Sequence, residues 1–100
     1  MPTAYRLTRE ARADLVVIAR YSLQTWGKRQ RAKYMGELAG HFTVLAQQPT
    51  IGRLRDDIAP DVRGFMHQPY VIFYRARRAG VEILRILHMA RDVVRLMTNE

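Results

Sequence analysis

Two stretches in the second half of the chain limit its fold more than any other feature. Tyr70-Val71-Ile72-Phe73-Tyr74-Arg75 and Val81-Glu82-Ile83-Leu84-Arg85-Ile86-Leu87-His88 are rich in β-branched and aromatic residues, and both carry apolar side chains on both faces. Strands of that kind belong in the middle of a sheet that is covered on both sides. Arg77-Arg78-Ala79-Gly80 between them supplies a turn with Gly at its end. The strong strands are expected at about 70–76 and 81–88, preceded by a plausible strand at about 62–68. Near the start, Ala4-Tyr5-Arg6-Leu7-Thr8 alternates, with Tyr5 and Leu7 facing one way, which predicts a short half-buried strand at about 4–8.

The cover for such a sheet has to come from the segment in between, where the period becomes that of a helix. From Arg9 to about Trp26, the residues Ala11, Leu15, Ile18 and Ser22 share one stripe. Thr8 suits the N-cap, and Glu10 in the first turn complements the helix dipole. Gly27 reads as a stop. A second helix is predicted over about 28–47, with Met35, Leu38, Phe42 and Leu45 on its stripe and Pro49 beyond its end. With only a Gly turn between them, the helices form an antiparallel hairpin, and Trp26 either anchors that hairpin on the sheet or meets a partner. Thr50 to Pro60 reads as a loop.

The expected fold class is therefore α+β, in the order strand–helix–helix–strand–strand–strand. A helix hairpin packs on a small, mainly antiparallel sheet, in a single domain over 1–100. The helices cover one face of the sheet. The other face has only the tail, 89–100: either Val93, Val94, Leu96 and Met97 fold back over it, or it stays open for a partner.

Charge narrows the choice of partner. Seventeen residues are Lys or Arg and nine are Asp or Glu, a formal charge of +8, and only Lys28 and Lys33 among the basic residues are Lys. Such a chain suits an acidic or polyanionic partner, whether nucleic acid, an acidic protein segment or both. Cys is absent, so no disulfide or cysteine-based zinc site is possible, and the three His have no ligand spacing. No apolar run, Leu15 to Ala19 included, exceeds five residues, against the roughly 20 of a membrane helix. The start carries no apolar signal segment. These features predict a soluble intracellular protein with no membrane, metal or cofactor requirement.

Several short motifs then fall in a familiar order. Tyr5-Arg6-Leu7-Thr8-Arg9-Glu10-Ala11-Arg12-Ala13-Asp14-Leu15 leads to Ile18-Ala19-Arg20-Tyr21 and Thr25-Trp26-Gly27. Pro49-Thr50-Ile51-Gly52-Arg53, Val62-Arg63, Val71-Ile72-Phe73-Tyr74-Arg75 and Ile83-Leu84-Arg85-Ile86-Leu87-His88 follow. From about Tyr5 to Asp92 the chain resembles the ParE toxins of the RelE/ParE toxin–antitoxin superfamily. The resemblance implies a bacterial, cytoplasmic toxin of a type II system that poisons DNA gyrase. It also implies neutralisation by a ParD-like antitoxin, which binds operon DNA with one module and folds along the toxin with another. The RelE branch shares the fold but cuts mRNA on the ribosome, and a degenerate, non-toxic antitoxin-binding module is a further alternative.

The residues allow the two active branches to be compared. RNA cleavage needs a base for the 2′-hydroxyl, cations for the phosphorane and an acid for the leaving oxygen. Where the RelE branch has basic residues after the second helix, this chain has Arg53 and Arg55. Arg is a poor base at neutral pH but binds phosphate through its planar fork. Both also read as a solvated loop paired with Asp56 or Asp57. Arg63 and Arg85 stand where phosphate-stabilising arginines sit. Arg85 interrupts an apolar strand, and in a regular pleat it shares a face with Val81, Ile83 and Leu87. It reads equally as an ion-paired residue, with a cross-strand neighbour of Glu82 or an acid of the tail. His88 is the best candidate acid. If the chain is a ribonuclease, Arg63, Arg85 and His88 are its catalytic residues. The set lacks a convincing base, so the expectation is a non-enzymatic toxin with Arg53, Arg55, Arg63, Arg85 and His88 facing the target. The antitoxin is expected on Leu15, Val17, Ile18 and Tyr21 of the first helix and on Phe73, Arg75 and Ile83 of the open sheet face.

Overall fold

The computed structural model describes residues 4–98. Its elements are β1 (Ala4–Leu7), α1 (Arg9–Gln47), β2 (Arg53–Leu54), β3 (Val62–His67), β4 (Tyr70–Arg77), β5 (Gly80–His88) and α2 (Val93–Thr98). The five strands form one sheet in the order β1-β5-β4-β3-β2. β1 runs parallel to β5 and every other pair is antiparallel. The two strands rich in apolar residues thus lie centrally, as their two-faced pattern requires.

α1 is a hairpin in substance. Gly27 sits inside it at φ 84° and ψ 176°, a left-handed conformation that only Gly adopts freely. Straight, its 39 residues would span about 58 Å, whereas the largest extent of the molecule is 37 Å. Both arms also share one core: Ala11 and Ile18 from the first and Tyr34, Leu38, Phe42 and Leu45 from the second pack against Ile72, Tyr74, Val81, Ile83 and Ile86 of the sheet. The Thr8 hydroxyl caps the first arm by accepting the Ala11 N–H, and it donates to the Leu84 carbonyl, which ties the helix start to β5.

The second sheet face is covered by the tail. Ile58, Val62, Phe73 and Leu87 form a smaller buried cluster, and Val93, Leu96 and Met97 of α2 pack on it with Val71 and Leu84. The Asp92 carboxylate accepts the Arg95 N–H at the start of α2. The face expected to be open therefore carries the chain's own cover, the folded-back alternative; the last two tail positions lie outside the described residues.

Two details differ from expectation. The loop after α1 contributes β2, which pairs Arg53 with Gly64 and Leu54 with Arg63. β5 is not regularly pleated: Phe73 opposes Arg85 and Tyr74 opposes Ile83, so Leu84 is bulged out. Ile83 and Ile86 consequently face the helices while Leu84 and Leu87 face α2, so Arg85 does not share a face with Val81 and Ile83. Gly80, at φ 148°, lies so close to Ala4 that a Cβ would collide with its backbone, and the β1–β5 pairing depends on that absence.

Candidate functional site

The far end of the sheet from the Gly27 turn is organised by Tyr74. Its hydroxyl donates to the Pro49 carbonyl at 2.7 Å and accepts the Gly52 N–H at 2.8 Å, pinning the segment that follows α1. Burial raises the Tyr74 pKa, so the phenol stays protonated and able to make both bonds. On this platform Arg63 Nη1 donates to the Gly52 carbonyl at 2.8 Å and to Thr50 O at 3.4 Å. Arg53 is exposed on β2.

Arg55 and Arg85 are each committed to a carboxylate. Arg55 meets Asp57 through Nε and Nη2 at 2.9 and 2.8 Å and lies 5.7 Å from the centre of the Phe73 ring. The Arg55 hydrogen bond holds the Asp57 carboxyl below its usual range. Arg85 meets Asp14 of α1 through Nε at 2.9 Å and Nη2 at 3.0 Å, and Asp14 also accepts the Ile86 N–H at 2.9 Å. The hydrogen bond to Asp14 raises the Arg85 pKa, against the cost of burial. The partner of Arg85 is thus an acid of the first helix arm, 71 residues away in sequence, and not a strand or tail residue.

The arginines and His88 do not converge. His88 opposes Tyr70 at one end of the β4–β5 pairing, while Arg63 opposes Tyr74 on β4. Four residues of strand separate the two levels, on the order of 13 Å, and β4 lies between the two strands that carry them. His88 is exposed, its Nδ1 accepts the Ala90 N–H at 3.0 Å, and its ring meets Tyr70 edge-on.

The residues expected to face an antitoxin divide. Val17 is 63% and Tyr21 50% exposed, Trp26 extends their surface, and Val16 and Leu23 are exposed elsewhere on the same arm. Trp26 is 41% exposed and lies edge-on to Tyr21, and its ring also rests 5.7 Å from that of the buried Tyr34, so it joins this surface to the hairpin's second arm. Leu15 is half-buried and packs against the core. Ile18, Phe73 and Ile83 are not available to a partner: Ile18 and Ile83 are buried between helices and sheet, and Phe73 lies under α2. Arg75 is half-buried at the sheet margin, its Nη2 3.4 Å from the Pro60 carbonyl.

A cluster not anticipated from sequence joins the second helix arm to the end of β3. His41 Nε2 and His67 Nδ1 are 3.2 Å apart, Tyr34 stacks on the His67 ring, and Glu37 Oε1 lies 3.9 Å from His67 Nε2. Glu37 favours a proton on His67 Nε2, which leaves Nδ1 to accept from His41. Burial, with His41 adding to it, lowers the His67 pKa against the pull of Glu37. The unfolded chain, with His near 6.5, therefore binds more protons than the folded one, and stability is lost as pH falls below about 6.5 towards the lower folded value. Thermal melts between pH 5 and 8 should show this loss in the wild type and a weaker one in His67→Gln. Equal slopes would remove His67 as the cause.

No helix among the described residues is long and apolar enough to cross a membrane. Residues 5–93 match the family model described as ParE toxin of type II toxin–antitoxin system, parDE. Toxin ParE1 of Caulobacter vibrioides is 38% identical over 88 residues, covering 88% of this chain and 91% of the relative. Toxin ParE1 of Mycobacterium tuberculosis is 33% identical over 96 residues, covering 95% and 98%. A solved structure of the chromosomal ParDE toxin–antitoxin system from P. aeruginosa superposes with a TM-score of 0.72 at 25% identity, over 86% of this chain and 95% of that one.

Proposed function

The chain belongs to the ParE toxins of type II toxin–antitoxin systems, and on that footing we propose that it poisons DNA gyrase by binding, without phosphodiester chemistry of its own. The observation that carries the non-enzymatic reading is the dispersal of the candidate nuclease residues. Arg85 is held by Asp14, and His88 stands at the other end of the sheet from Arg63. A cleavage site needs its acid, base and cations within hydrogen-bond reach of one phosphate. Here the groups are spread over a surface, which suits a protein that wedges against a target rather than one that cuts.

A toxin of a ParDE system has an antitoxin partner, and we place a ParD-like antitoxin on the exposed face of the first arm of α1. Val17, Tyr21 and Trp26 provide an apolar strip there, beside the exposed Arg20. An amphipathic acidic segment fits both features. Toxin, antitoxin and gyrase would meet in the bacterial cytoplasm.

Induction of the toxin with a plasmid reporter tests the target. A gyrase poison yields linearised plasmid in a gyrase cleavage reaction and a DNA-damage response in cells, with mRNA intact. Rapid mRNA loss on translating ribosomes, abolished by His88→Ala, would replace this reading with the endonuclease one. Normal growth on induction would leave a non-toxic binding module.

A further inference from the structure

A cavity of about 360 Å³ opens at the margin of the sheet, where β4 runs on past the first residue of β3. Val62 pairs with Arg75, so Ala76 and Arg77 lie beyond the last β3 partner and are paired only with β5. Arg63, Arg75 and Arg77 line this cavity, with Asp61 as its one carboxylate and Thr50 and Leu54 at its wall. We propose that this groove seats the phosphates of a nucleic-acid backbone, so that the toxin grips DNA directly.

Three observations favour phosphate. First, the guanidinium of Arg63 is prepositioned: Nη1 is anchored on the Gly52 and Thr50 carbonyls, and Nε and Nη2 have no partner among the described residues. A fork held in place loses little freedom on binding an anion. Second, Arg75 and Arg77 are two residues apart on one strand and so project on the same side, about 7 Å from each other. That separation is comparable with neighbouring phosphates along a strand. Arg77 gives Nε and Nη2 to Glu82, but its own side chain is 53% exposed and keeps Nη1 for an anion beside that pair. Third, the groove lacks an apolar floor. The other cavity of similar size shares Arg75 and includes Arg85, but Ile58, Leu84, Leu96 and Met97 give it an apolar lining with anchors for a peptide. This one offers Pro49, Leu54 and Ala76 only. Backbone phosphates need charge and donors, not an anchor pocket.

The proposal takes its purpose from the gyrase reading, since a gyrase poison acts on an enzyme holding DNA, but its test does not use gyrase. Full-length toxin, separated from its antitoxin in denaturant and refolded, is titrated into a fluorescent 20-base-pair duplex at several salt concentrations. Three phosphate contacts predict a slope of log K against log salt near −3. Arg63→Gln with Arg75→Gln should weaken binding about tenfold or more and make the slope shallower by about 2. Arg75→Gln with Arg77→Gln, which spares the Arg63 tether, should do the same. Asp61→Asn should tighten binding several-fold, and Asn accepts the φ of 67° at that position. Thermal melts confirm that each variant folds. The proposal falls if binding is absent, if the slope is unchanged in folded variants, or if polyglutamate displaces the duplex as well as unlabelled DNA does, which would make the groove a site for acidic peptide. DNA binding that persists in a toxin unable to trap gyrase cleavage complexes would count against the gyrase reading alone.

Discussion

Toxin carrying both Val17→Glu and Tyr21→Glu is expected to bind its antitoxin at least about a hundredfold more weakly and still to arrest growth. Burying an apolar side chain that is exposed in the free toxin contributes about 1.5–3 kcal/mol when burial is complete. Val17 and Tyr21 are already partly covered, at 63% and 50% exposure, so the two together are worth about 3 kcal/mol. A hundredfold change in affinity corresponds to about 2.7 kcal/mol. The new carboxylates also oppose an acidic partner, which adds to the loss. Neither residue belongs to the buried core, so the fold should hold and melting temperature should change little. In cells producing both proteins, the variant should therefore halt growth where wild-type toxin is silenced. Calorimetric titration of the purified pair gives the affinity directly. An antitoxin that still silences the variant and binds it within about threefold of wild type would remove this face of α1 from the interface.

The α+β order was readable because the helix arms show helical spacing and the two central strands are rich in β-branched and aromatic residues. The apolar stripes of the two helix arms recur at helical spacing, and Gly27 between them marks the reversal. Parity is a weaker guide in β4 and β5. With apolar residues at successive positions, nothing local says which set meets the helices, and the bulge at Leu84 reverses the assignment midway along β5. That is why Ile83 and Phe73 were expected on an open face and are found inside two different clusters. β2 has two residues, too few to show any period; it exists because Tyr74 pins Gly52 and Pro49 beside β3. The pairings that define the site's electrostatics are long-range. Asp14 and Arg85 are 71 residues apart, and His41 and His67 are 26 apart. An acid on a helix and a base in a strand meet only once the helix has been laid along β5. Arg55 differs, because its partner Asp57 is two residues on and visible as a local possibility.

Asp14→Ala should be the most damaging single change to the fold outside the core. The carboxylate takes two N–H groups of Arg85 and the backbone N–H of Ile86, all at 2.9–3.0 Å. It thereby fastens α1 to β5 beyond the point where β1 stops pairing, since β1 reaches only Ile83. Removing one partner of a fully buried ion pair costs about 3–5 kcal/mol. These side chains are 12% and 24% exposed, so water recovers part of that and about 2–3 kcal/mol is expected. In a domain of this size each kcal/mol is worth about 4–8 °C, so the melting temperature should fall by about 10–20 °C. Asp14→Asn keeps an acceptor for Ile86 and should fall in between. The double variant Asp14→Leu with Arg85→Met removes both charges and leaves none stranded, so it should regain more than half of the loss. The double variant also decides what Arg85 does. If it is folded and still traps gyrase cleavage complexes, Arg85 serves to position the helix. If it is folded and inactive, the guanidinium touches the target as well as Asp14.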